Sequence, residues 1–259
     1  YLARAQADNV LHTEIFFDTQ THTGHGTSVE TVINGLHRAC ADAPARHGMT
    51  ASLILCFLRH LSEDDALATL EAALPYRHQF IGVGLDSSER GHPPEQFARV
   101  FERAGALGLH RVAHAGEEGP PAYIEGALDT LQVERIDHGV RCLESPALVR
   151  RLADARVPLT VCPLSNVKLC VFPTMAQHNL PALLEAGLCV TLNSDDPAYF
   201  GGYLNQNLTA TFEALPQLGA RHAYAVLRNS LEASFAAPAA IAGWVAGLDR
   251  EFARAASGA

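Results

Sequence analysis

The sequence predicts an α/β fold, a TIM-type (β/α)8 barrel of parallel strands that lacks its first βα unit in this chain and carries extra C-terminal helices. Three observations predict it. Short apolar runs alternate with longer stretches of helical period along almost the whole of the 259 residues, which is the pattern of repeated βα units. Seven such runs occur, one short of a closed barrel, and the chain opens on a helical stretch, Tyr1–Asn9, leading straight into a strand. Unusual polar residues gather at the carboxyl ends of several runs, where parallel α/β sheets place their ligand sites.

The first strand is Val10–Phe17, followed by the amphipathic Ser28–Arg46, whose opening serine is a favoured N-cap. Ala51–Leu58 is the second strand and Ser62–His78 its crossover helix. Phe80–Leu85 with Pro94–Leu107, and Leu109–Ala115 with Tyr123–Leu131, make the next two units. Arg135–Gly139 is followed by Ser145–Ala155, Pro158–Cys162 is the sixth strand, and helix Leu180–Ala186 precedes the last strand, Leu188–Ser194. From Tyr203 on the chain reads as Ala-rich helix broken near Pro216–Gly219 and Pro238. Neither linker nor repeat divides the chain, so residues 1–259 are read as one domain.

Hydrophobic residues at 48% and charged residues at 18% exclude a disordered chain. A net charge of −9 without any Lys/Arg cluster argues against nucleic-acid and membrane partners and fits a small neutral or weakly cationic substrate. Lys168, the sole lysine, is placed in a solvated loop after the seventh strand. The six cysteines form no CxxC pair and several fall in apolar runs, as expected of reduced thiols in a cytoplasmic protein. No stretch is apolar enough to span a bilayer, and no export signal opens the chain.

Four strand ends carry chemistry-bearing residues: His114-Ala115-Gly116-Glu117, Asp137-His138-Gly139, Asn193-Ser194-Asp195-Asp196-Pro197, and Gly84-Leu85-Asp86-Ser87-Ser88-Glu89. Each alone has an ordinary reading; a strand-end histidine can bond a neighbouring loop, and Asp195 or Asp196 can cap the next helix. Together, on one rim, they point to a metal hydrolase. A divalent metal brings the pKa of its water to about 7, and imidazole and carboxylate are suitable ligands, which makes His114 and Asp195 the candidates. His138 suits the handling of the water's proton, and Glu117 suits protonation of a ring nitrogen.

In that ordered set, HAGE at 114–117, DHG at 137–139 and SDDP at 194–197, the chain resembles the adenosine/adenine deaminase family, metal-dependent amidohydrolase-type barrels that hydrolyse the 6-amino group of purines. Residues 14–18, 84–89, 163–167 and 194–202 make it most similar to the bacterial adenine-specific members. The resemblance implies that His114 and Asp195 ligate one Zn²⁺, that Glu117 donates a proton to purine N1, and that His138 orients and helps deprotonate the water. It also implies that Asp196 hydrogen-bonds the imidazole edge of the substrate. The reaction implied is adenine to hypoxanthine and ammonia, in purine salvage. The family's His-x-His ligand pair is not found near the start of this chain, and His22 and His25 have the wrong spacing and follow the wrong strand. The expectation is that roughly 70–90 N-terminal residues are missing, about one βα unit plus lid helices.

Free adenine differs from adenosine at N9, where a carboxylate can read the N–H. Glu89 stands where adenosine-specific relatives typically have glycine, and is assigned to substrate binding by excluding ribose; a capping loop with Glu89 in solvent is the equal alternative. Adenosine or N6-substituted adenine as substrate, and a catalytically incomplete purine-binding fragment, stay open. His12, His37, His47, His60, His78 and His178 are read as surface or loop residues, with His60 near enough to a strand end to touch the pocket. The sequence is silent on oligomeric state.

Overall fold

A computed structural model describes residues 1–257, which form two compact units, Tyr1–Glu144 and the residues from Ser145 onward. The first runs α1 (Leu2–Ala7), β1 (His12–Asp18), α2 (Gln20–Thr23), α3 (Val29–His47), β2 (Thr50–Leu58), α4 (Glu63–Ala73), β3 (Gly82–Asp86), α5 (Ala98–Ala106), β4 (His110–Ala115), α6 (Pro121–Asp129) and β5 (Arg135–His138). Its five strands pair in chain order, all parallel, with Phe16 opposite Ile54, Leu55 opposite Val83, Gly82 opposite His110 and His114 opposite Asp137. Parallel neighbours need a crossover, and α3, α4, α5 and α6 supply one each.

Strand β2 explains why the sheet is legible in the sequence. Leu53 to Phe57 are each no more than 1% exposed, because a parallel strand covered on both faces is a continuous apolar run rather than an alternating one. Phe57 meets Phe101 of α5 edge-on, with ring centroids 6.3 Å apart. Helix α3 starts where Ser28 Oγ accepts the Thr31 N–H at 3.1 Å. Helix α4 starts on a capping box in which Ser62 Oγ accepts the Asp65 N–H at 3.1 Å while Asp65 accepts the Ser62 N–H at 3.3 Å.

The second unit runs α7 (Pro146–Asp154), β6 (Pro158–Val161), α8 (Pro163–Lys168), α9 (Leu180–Glu185), β7 (Cys189–Leu192), α10 (Pro197–Phe200), α11 (Leu204–Ala214), α12 (Ala220–Glu232) and α13 (Pro238–Ala256). Strands β6 and β7 are parallel, Thr160 opposite Thr191. Asn229 of α12 donates to the Val190 carbonyl at 2.9 Å, fastening the helix to β7. Tyr224 and Phe252, 4.5 Å apart, pack α12 on α13.

Every expected strand is present, and no boundary moves by more than two residues. The helical stretches differ more. The one expected to reach His78 leaves the α-helix at Ala73 and continues as a 3-10 helix, Leu74–Gln79, because Pro75 cannot supply the N–H that an α-helical turn needs. Lys168 ends helix α8 directly after the sixth strand, a correction to the expected loop after the seventh; Pro163 opens that helix at a position tolerant of a missing N–H. His178 lies in a loop, one of its two readings, and at 3% exposed it is not at the surface. All six cysteines are free thiols, five of them buried. Among the described residues no helix is long and apolar enough to cross a membrane.

Candidate active site

Three of the strand-end residues singled out above stand on left-handed backbone: Ser87 (φ 73°), His138 (φ 67°) and Asp195 (φ 45°). For residues with a Cβ this region costs about 1–3 kcal/mol and persists only where the surroundings impose it. His138 and Asp195 are thus strained at positions that chemistry singled out, while Asn9, Gln132, Arg156 and Cys170 adopt the same region outside them.

In the first unit, β4 and β5 bring His114, Glu117 and His138 together. The rings of His114 and His138 are 4.9 Å apart at 64°. His138 Nδ1 lies 3.3 Å from Glu117 Oε1, with both side chains at most 10% exposed. His114 Nδ1 faces the buried Asp137 carboxylate at 3.5 Å. A carboxylate behind one imidazole nitrogen leaves the other, Nε2, turned away from it, the arrangement common among metal-binding histidines. Phe16 of β1 flanks His114 at 5.9 Å between ring centres.

Around this group the charge is anionic. Burial, and then the neighbouring Asp18, hold the Asp86 carboxyl well above the usual carboxylate range, while His114 draws it down. Burial likewise raises the Cys56 thiol, which bonds to Asp86 as a neutral donor. Asp86 Oδ1 is buried without a hydrogen-bond partner. A desolvated carboxylate oxygen with no donor is costly unless a cation or proton meets it. Oxygen and imidazole donors, one of them backed by a carboxylate, fit a hard or borderline divalent metal. Sequence reasoning left Asp18 and Asp137 without roles, although Asp18 closes the apolar Ile15-Phe16-Phe17 with a carboxylate and Asp137 stands beside His138 at the end of β5.

Glu89 is only 2% exposed, so its carboxylate is not in solvent. Its Oε2 accepts the N–H groups of Gly116 and Gly119, both at 2.9 Å, and its Oε1 accepts those of Glu117 and Glu118 at 2.9 and 3.4 Å. Glu89, expected either in substrate binding or in solvent, is thus buried with both carboxylate oxygens on backbone N–H groups. His60 Nδ1 lies 2.8 Å from Ser87 Oγ.

In the second unit Asp195 Oδ2 accepts a short hydrogen bond from Ser165, and its Oδ1 accepts the Asp196 N–H at 3.0 Å. Asp196 occupies the N-cap position of α10, but its side chain makes no capping bond. The ordinary reading of this pair as a helix cap is therefore met in position and not in bonding.

Comparison with known proteins follows the same lines. A family model described as adenosine deaminase matches residues 1–243. An adenine deaminase of Geotalea uraniireducens is 64% identical over 252 residues, 97% of this chain and 71% of that protein. One from Albidiferax ferrireducens is 68% identical over 235 residues, covering 91% and 68%. Among solved structures, an adenine deaminase from Arthrobacter aurescens is similar with a TM-score of 0.94 at 46% identity, over 96% of this chain and 76% of that one. An amidohydrolase from Burkhoderia ambifaria with bound Zn gives 0.92 at 27% identity, over 99% and 72%. The fold class is thus the expected one, seven parallel strands of an incomplete TIM-type amidohydrolase barrel.

Proposed function

The chain belongs to the adenosine deaminase family, and from that premise we propose that it catalyses hydrolytic deamination of adenine to hypoxanthine and ammonia, with Zn²⁺ as its metal, in the cytoplasmic salvage of purines. The observation that carries the reading is the convergence of His114, Glu117 and His138, in a chain 64% identical to an adenine deaminase.

His114 would be a ligand of the zinc, which when bound supplies hydroxide near neutral pH. The chain's own groups do the rest. Glu117 gives a proton to purine N1, so that the ring accepts electrons as C6 is attacked. His138 orients the attacking water and takes its proton, and with Nδ1 3.3 Å from Glu117 that charge rests beside a carboxylate. Asp196 accepts a hydrogen bond from the imidazole edge of the base. The proton held by His138 passes to the 6-amino group, and the tetrahedral carbon at C6 then expels ammonia and leaves the 6-oxopurine.

The test is ammonia and 6-oxopurine formation from adenine, adenosine and an N6-alkyl adenine, each with added Zn²⁺ and with a chelator. Hypoxanthine from adenine at the highest kcat/KM, lost with the chelator, is the expected result. Preference for adenosine or for the alkylated base moves the chain to another substrate within the family. Zinc-loaded protein that turns over none of the three overturns the reading.

A further inference from the structure

Behind the turn that carries Glu117 lies a buried pair of opposite charges that the reaction does not use. Arg59, at the end of β2, is fully buried. It donates through Nη1 to the His114 carbonyl at 2.6 Å, and through Nε and Nη2 to the His92 carbonyl at 3.0 and 2.7 Å. Its guanidinium lies 5.7 Å from the centre of the Tyr123 ring, and Glu89 is the strongest of the charges that steady it against desolvation. Glu89 in turn accepts four successive N–H groups, those of residues 116–119. The pair grips the β4 end by its carbonyl on one side and its amides on the other.

The glycines of the turn are explained by this grip. A Cβ on Gly119 would stand 2.3 Å from Glu89 Oε2 and 2.5 Å from Tyr123 Cδ2, so only glycine admits the carboxylate. Gly116 has φ 75°, and a Cβ there would meet Ile124 at 2.4 Å. From outside, Arg141 closes the same turn by donating to the Glu118 carbonyl at 2.5 Å.

We propose that Glu89, with Arg59 behind it, is a positioning residue that fixes the backbone of Gly116–Gly119 and so aims the Glu117 carboxyl beside His138. This rests on the proton-donor role proposed for Glu117. An anion bound by four N–H groups cannot shift without breaking several charge-assisted bonds at once, so the general acid sits on a rigid mount rather than on a flexible loop. The same physics places a carboxylate where free-base specificity was expected, and gives it work on the chain instead of on the substrate.

The experiment compares Glu89→Gln and Gly119→Ala, alone and combined with Glu117→Gln, in the zinc-loaded chain with adenine, and follows amide hydrogen exchange at residues 116–119 in every variant. Gln puts an NH₂ against N–H groups; Ala displaces the carboxylate with no change of charge. The expected result is kcat lower by about 100-fold with KM within threefold, the loss known for an acid misplaced by an ångström. No further loss is expected once Glu117 is Gln, because both changes then act on one function. Amides 116–119 are slow in the unaltered chain and fast in both variants, with β4 still protected. Multiplying losses of kcat, or amides 116–119 that exchange in the unaltered chain as quickly as open loops, overturn the proposal. If the unaltered zinc-loaded chain deaminates nothing, the proposed reaction fails, and the exchange data alone decide the clamp. If Glu89→Gln does not fold, Gly119→Ala decides it.

Discussion

At the scale of single residues the site divides into groups that meet substrate and groups that hold them. Glu117 is assigned to the first, and Glu117→Gln is expected to lower kcat by about 100-fold or more, as loss of a general acid does, with a thermal midpoint within a few degrees of the original. A folded variant of unchanged kcat would exclude Glu117 as the acid. His178 belongs to a different group. Its Nδ1 accepts the Leu180 N–H at 3.0 Å, Nε2 faces Asn166 Oδ1 at 3.2 Å, and burial pushes its pKa down to about 4. Unfolded, the same ring titrates near 6.5, so the folded state refuses a proton that the unfolded state takes. Stability from this ring is therefore present above pH 6.5 and lost as pH falls toward 4, about 3 kcal/mol at most. Urea melts at pH 7 and pH 4.5 should show a smaller drop for His178→Gln than for the unaltered chain; equal drops would refute the assignment. Little of this was legible in advance. Glu89 lies in a polar, Gly- and Pro-flanked stretch that reads as a solvated loop, and its partners stand 27 to 30 positions away. His178 follows a largely apolar segment, Val171-Phe172-Pro173-Thr174-Met175-Ala176, a sign of burial that its reading as a surface or loop residue passes over, and Phe172 packs over its ring with centroids 4.3 Å apart.

At the scale of elements, periodicity carries far more. Strand β2 is legible because burial on both faces leaves an unbroken apolar run, and α3 and α4 because serines cap them where the pattern begins. Ser62 satisfies one amide of α4 and bonds Asp65 besides, so Ser62→Ala is expected to cost about 1 kcal/mol, read as a lower denaturant midpoint at constant slope. No change would mean that the cap is replaced by water. Helix α8 was unreadable by the same means. Its Pro-Leu-Ser-Asn-Val-Lys has turn formers at its start and only six residues, too few for a period to declare itself. The ends of α4 and α5 were misjudged for a related reason: apolar spacing continues through the 3-10 turns at Leu74–Gln79 and Pro94–Phe97, while the hydrogen-bond pattern changes.

For the molecule as a whole the governing quantity is charge. The chain carries −9, and part of it is concentrated where Asp18, Asp86 and Asp137 approach His114. A cation bound there stabilises only the folded form, by about 2.7 kcal/mol at a hundred times its dissociation constant. Zinc is accordingly expected to raise the midpoint of thermal unfolding by several degrees, and a chelator to reverse it; a midpoint indifferent to both would argue against metal at this cluster. The order of strands and crossovers was available from the sequence because each βα unit repeats the same local grammar. The gathering of acids from β1, β3 and β5 was not, since it depends on register between segments far apart in the chain.

The left-handed backbone of Ser87, His138 and Asp195 has a consequence for anyone who would breed a hardier version of this protein. Glycine takes that conformation without the steric penalty, so a screen rewarding heat tolerance alone would tend to enrich glycine at these three places. Two of the replacements would delete side chains assigned to the chemistry. Survivors of such a screen would be sturdier and inert, and durability and turnover would have to be selected together.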